Sequence, residues 1–212
     1  MQEIFKRSVL LVAGMFLMTF GIASLVLANV GTTPISTLPL VTGEIFGISL
    51  GAGTFAVNVV FVLLQILLLR SRFRPISLIQ VPLVFVFGLF IDLNMHWAGI
   101  FFGDVYWINL ALSIFANVFL ATGILFLLMA DISMMPGEGL VLAVSLVTGK
   151  EFGTMKIVFD VSMVCASIVL GFAVLGHTVG IREGTVISAF AVGWLVKKLS
   201  PVVRPLLLRF LR

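Results

Sequence analysis

The chain has 212 residues, of which 61% are hydrophobic and 10% charged, with a net charge of +4. Soluble domains carry about 25% charged residues, so this composition excludes a water-facing globular surface and makes lipid the solvent. The few positive charges sit at the ends of apolar runs, which suits anionic lipid and argues against a nucleic-acid partner.

A spanning helix needs about 20 mostly apolar residues. In chain order, such runs predict spans over 8–30, 51–69, 76–94, 107–130, 153–175 and 184–196. The last is short and has room to begin near Val179. Two further apolar segments, 34–47 and 136–149, are too short to span comfortably at about 14 residues. The first run is too long for the core of a cleaved signal peptide and reads as a retained helix. The tail 200–212 mixes leucines with Arg204, Arg209 and Arg212 and reads as a basic interfacial segment.

Orientation follows from Lys and Arg, which concentrate on the cytoplasmic side of membrane proteins. With six spans, Lys6, Arg7, Arg70, Arg72, Arg74, Lys150, Lys156, Lys197, Lys198 and the three tail arginines fall on one side. Only Arg182 of the 13 basic residues falls on the other. Both termini are therefore expected in the cytoplasm. Counting the short segments as full spans would move Arg70, Arg72 and Arg74 outside.

The sequence repeats. At an offset of 102, residues 21–59 align without a gap on residues 123–161, pairing Gly21 with Gly123, Pro34 with Pro136, Gly47 with Gly149 and Gly51 with Gly153. Asn29 pairs with Asp131 and Asn58 with Asp160. Repeat 1 covers about 8–95 and repeat 2 about 107–199 of one integral membrane domain. Each repeat holds three spans and one short segment. Three is odd, so the second repeat enters from the opposite side. Inverted repeats are a common transporter construction, with the site at the repeat interface near mid-membrane.

Each short segment follows a polar break, Asn29 to Pro34 or Asp131 to Pro136. Proline favours the first helical turn, and Thr33 is an acceptable N-cap where Met135 is a poor one. Pro39 is expected to interrupt the first short helix. Two placements stay open: re-entrant half-helices, whose N-termini attract anionic groups, or helices lying flat in the interfaces.

Ionisable residues within spans are functional candidates. Asp160 lies two turns into the fifth span, with Lys156 one turn before it on the same face. A proton- or substrate-linked carboxylate and a plain structural pair both fit. Asn58 is its counterpart in the other repeat. Asp131 and Glu138 flank the second break, with Asn29 and Ser36 as their counterparts, and all four are candidates for a cavity mouth. Asp131 fits still better as the plain end of the fourth span at the cytoplasmic edge, and Thr33 joins the candidate binding residues. Gln65 and Asn117 read as helix–helix hydrogen-bonding residues. His96 and His177 fall in loops without metal-ligand spacing, and the single cysteine, Cys165, permits no intrachain disulfide. No HExxH, GxSxG, P-loop or CxxC motif occurs, so neither enzyme activity nor a cofactor is expected.

The doubled break motif and the stretches 87–92 (FGLFID) and 182–188 (REGTVIS) resemble the YczE/YyaS/YitT-type bacterial membrane proteins over about residues 14–199. That resemblance implies a bacterial inner-membrane location and supplies no site residues. The expectation is an all-α protein of six transmembrane helices in two inverted three-helix repeats, each with a short broken or re-entrant helix. It would act as a secondary transporter or facilitator for a small polar solute, alone or as a homo-oligomer. The alternative is a membrane scaffold or accessory subunit for a partner enzyme.

Overall fold

The structure, a computed structural model, describes residues 2–103 and 105–211; Arg212, counted above in the tail, lies outside them. Among the described residues the chain is all-helical, and six helices are long and apolar enough to cross a membrane.

Helix α1 (Gln2–Leu27) begins before the apolar run, where Glu3 and Arg7 pair at 3.1 Å one turn apart. It stops just before Asn29, whose φ of 51° is left-handed. Asparagine tolerates that conformation better than most side chains. Helix α2 (Pro34–Phe46) runs unbroken through Pro39, against expectation. Proline there removes one hydrogen bond, to the Ile35 carbonyl. Helix α3 (Leu50–Leu69) compensates by packing backbone to backbone on the same spot: a Cβ at Gly53 would lie 2.5 Å from the Pro39 carbonyl oxygen. Ser49 caps α3, its Oγ accepting from the Ala52 N–H at 3.1 Å.

Two 3-10 turns lead into α4 (Gln80–Ala98), which is followed by α5 (Tyr106–Ala130). Asp131 ends α5 with φ 51°, as Asn29 follows α1. Helix α6 (Pro136–Thr148) ends at Gly149, φ 69°, a left-handed glycine stop. Helix α7 (Phe152–Leu170) continues as a π-helical turn over Gly171–Leu175. Helix α8 (Glu183–Leu211) absorbs both the sixth predicted span and the predicted tail, passing through Pro201 and Pro205. Each proline deletes a single hydrogen bond, too little to end a helix anchored beyond it. The anchors are buried Leu207 and the Leu211 carbonyl, which accepts from Lys6 Nζ at 3.5 Å.

Contacts divide the chain into two compact units, with boundaries at both polar breaks. The first unit holds the segment ending at Thr33, Phe90–Ile132, and the segment from Gly180 onward. In it α1 crosses α5 at glycines. A Cβ at Gly21 would lie 2.7 Å from the Ala116 carbonyl, and one at Gly123 would lie 2.6 Å from the Met18 nitrogen. Small residues at that spacing let helix backbones approach closely. Arg7 Nη1 donates to the Ala130 carbonyl at 3.2 Å, setting a positive charge at the C-terminus of α5. Asn94 Nδ2 donates to Thr19 Oγ1 at 2.8 Å. Asn117, expected to bridge helices, instead donates to Ser113 of its own helix.

The second unit holds Pro34–Leu89 and Ser133–Val179. Here α2 packs on α3 and on α7, while α6 packs on α7 and on α3. Val57, Phe61, Leu140, Val141, Met155 and Phe159 form its buried apolar cluster.

Candidate functional site

The short helices of the second unit begin at one place. The Ile35 side chain occupies the space a Cβ would need at Gly137, so the first turns of α2 and α6 touch. Two buried polar side chains secure those turns. Gln65 Nε2, on α3, donates to the Pro136 carbonyl at 3.1 Å and to Gln80 Oε1 at 3.2 Å. Gly139 leaves room for it: a Cβ there would lie 2.7 Å from Gln65 Oε1. Ser167 Oγ, on α7, lies 2.9 Å from Thr37 Oγ1, and the Thr37 hydroxyl donates to the Pro34 carbonyl at 2.7 Å. Carbonyls at a helix start already serve the helix, so these side chains act as clamps that fix where each short helix begins.

Glu138 follows Pro136 in the first turn of α6, where the helix dipole favours negative charge. Its Oε2 is buried and has no hydrogen-bond partner among the described residues. Lys156 and Asp160 of α7 lie within electrostatic reach of it. Lys156 Nζ contacts Asp160 Oδ1 at 2.6 Å and sits 5.7 Å from the centre of the Phe159 ring. Both partners of the pair are about 70% shielded, with side-chain exposures of 30% and 28%. Glu138 thus lies in the field of an ion pair whose ammonium is held by Asp160. If all three groups ionise, the cluster carries one excess negative charge, which a proton or a cation can neutralise.

Asn58, the counterpart of Asp160, is buried and donates to the Thr54 carbonyl of its own helix at 2.8 Å. It belongs to the second unit with Glu138, Lys156 and Asp160. Asn29, Thr33 and Asp131 belong to the first. Asn29 and Asp131 are exposed left-handed residues at helix ends. Asp131 also lies 3.8 Å from Arg7. Thr33 is buried beside the start of α2. Ser167 escaped the reading of polar span residues. Its signal was the repeat offset, which aligns it with Gln65.

The Lys156–Asp160 pair gives an expected result. Asp160→Asn removes the partner of Lys156 and lowers stability by about 1–2 kcal/mol, between the values for exposed and buried pairs. Lys156→Met in the same chain restores most of that loss. Thermal unfolding of the single and double variants in detergent measures it, and a double variant no more stable than Asp160→Asn contradicts the pairing.

No curated protein and no solved structure matches the chain. A family model does, over residues 5–201, and its description assigns no function. With nearly the whole chain matched, this protein belongs to the family of unknown function DUF6198.

Proposed function

We propose that this protein is a secondary transporter for a small polar solute, coupled to a proton or cation through Glu138, Lys156 and Asp160. The observation that carries the proposal is the buried, unpartnered oxygen of Glu138 beside a lysine already engaged by Asp160. Acidic groups within membrane-embedded protein are costly unless paired, and those that persist commonly serve proton or ion pathways.

The reading includes two inverted repeats. Contacts that recur at the offset of 102 support it. Gln65 with Gly139 corresponds to Ser167 with Thr37. Gly21 meets Ala116 and Leu120, and Gly123 meets their counterparts Gly14 and Met18. Ile35 and Gly137, themselves counterparts, touch. The N-terminal turns of α2 and α6, gathered around clamped carbonyls, are then two half-helices meeting at a site, as in other inverted-repeat transporters. The resemblance to YczE/YyaS/YitT-type proteins supports a bacterial inner membrane, and the charge count supports cytoplasmic termini. For the orientation, a cysteine placed at Arg72 is expected to be labelled only from the cytoplasmic side and one at Gly103 only from the outside. Labelling of both from outside contradicts the inverted arrangement.

A scaffold reading draws on two observations. The apolar cluster around Phe61 and Phe159 packs α3, α6 and α7 without polar groups, and Asp160 is neutralised by Lys156. Neither accounts for the unpartnered Glu138 oxygen. The two readings separate in a thermal-shift screen of the purified protein against small polar metabolites, because a ligand of the folded state raises its unfolding midpoint by mass action. The transporter reading expects concentration-dependent stabilisation by one chemical class of solute. A flat response across the library favours the scaffold.

A further inference from the structure

Within the first unit, α5 and α8 flank an open groove of about 630 Å³. Its two walls differ in character. Helix α5 contributes Leu125, Leu128 and Met129, while α8 contributes Lys197, Ser200 and Arg204. Those three α8 positions are spaced by three and four residues, so they line one face over two turns. No acidic side chain lines the groove, and neither Lys197 nor Arg204 forms an ion pair among the described residues. Gly193 lies in the same groove, and a Cβ there would meet nothing within 4 Å. Pro201 and Pro205 also line it. Each removes a backbone N–H, so α8 presents fewer internal bonds along this stretch and bends at lower cost.

We infer that this groove is a binding site for an anionic phospholipid. The phosphate would sit between Lys197, Ser200 and Arg204, and an acyl chain would lie along Leu125, Leu128 and Met129. Charge complementarity selects the headgroup: two cations without protein partners, with a hydroxyl between them, match one phosphodiester. The surroundings select a lipid over a soluble phosphate. The groove is formed by two helices of membrane-spanning length, and α8 also exposes Val186, Ile187, Phe190 and Trp194. An apolar wall facing a basic one is of no use to a small hydrated anion. A neutral lipid would leave both cations unmatched. The site stands apart from the solute reading, since none of its residues belongs to the Glu138 cluster.

The test measures thermal unfolding of the purified full chain in detergent with added phosphatidylglycerol, phosphatidylcholine or inorganic phosphate. The wild type is expected to be stabilised by phosphatidylglycerol well above phosphatidylcholine, and not by phosphate. Lys197→Gln with Arg204→Gln should weaken the phosphatidylglycerol effect roughly tenfold or more in lipid concentration. Gly193→Leu, which keeps both charges and fills empty space, should also weaken it. Lys198→Gln, a neighbouring charge outside the groove, should leave it intact. Equal stabilisation by both lipids overturns the proposal. So does a full phosphatidylglycerol effect in the double variant and in Gly193→Leu, or a matching effect from inorganic phosphate alone.

Discussion

Gly123→Leu is expected to cost about 3 kcal/mol or more, the upper range for overpacked contacts. The cause is backbone geometry. A Cβ at position 123 would lie 2.6 Å from the Met18 nitrogen and 2.7 Å from the Gly14 carbonyl oxygen. Neither atom can rotate away, so α1 and α5 must separate. That crossing is the main packing contact of α1, which buries Leu11, Gly14, Met15, Met18, Gly21 and Ile22 on this unit. Gly21→Leu should behave alike, because its Cβ would meet the Ala116 carbonyl and Leu120. Gly99→Ala, with nothing within 4 Å of the added carbon, should sit near the wild type. Unfolding midpoints in a single detergent compare the three directly. Wild-type stability in Gly123→Leu would mean that α1 and α5 do not pack at this distance.

Glu138→Gln carries the largest expected effect on activity. The substitution keeps the shape of the side chain and removes its charge and its titratable proton. Its carboxylate has a buried oxygen without a partner, so the charged form is held at a cost and its removal should leave stability unchanged or raised. Gradient-driven uptake should be lost, because the remaining Lys156–Asp160 pair is balanced and has no excess charge to exchange. A structural role would give the opposite pattern, with lower stability and normal uptake. Uptake and unfolding are therefore measured on the same preparation.

The broad architecture was legible because lipid imposes simple rules. Apolar runs located all six long helices, and Pro34 and Pro136 marked the starts of the short ones because proline is pre-organised for the first turn. Glycines marked where α6 and its counterpart end, since Gly149 and Gly47 both take left-handed φ values. What the sequence hid was tertiary. Pro39 reads as a break by local rules, yet it lies inside a helix, as do Pro201 and Pro205, and each costs one hydrogen bond that packing or anchoring on both sides outweighs. Asn29 and Asp131 stood out because they are polar and paired in the repeat, and Asp131 also read as the end of its span. Their shared property is a left-handed backbone, which composition does not reveal. Glu138 and the Lys156–Asp160 pair were visible as ionisable residues near apolar segments. The placement of Glu138 in the field of that pair depends on how α6 folds against α7, and no spacing along the chain encodes that. The clamps made by Gln65 and Ser167 were half visible: Gln65 as a bridging residue, Ser167 only through its place in the repeat.

The most direct measurement is uptake of radiolabelled small polar metabolites into proteoliposomes holding an imposed proton or cation gradient. Transport predicts that the protein accumulates at least one chemical class of solute above protein-free vesicles, that collapse of the gradient abolishes accumulation, and that Glu138→Gln abolishes it too. Uptake that no gradient affects, or that proceeds unchanged in Glu138→Gln, would contradict a coupled site at the start of α6.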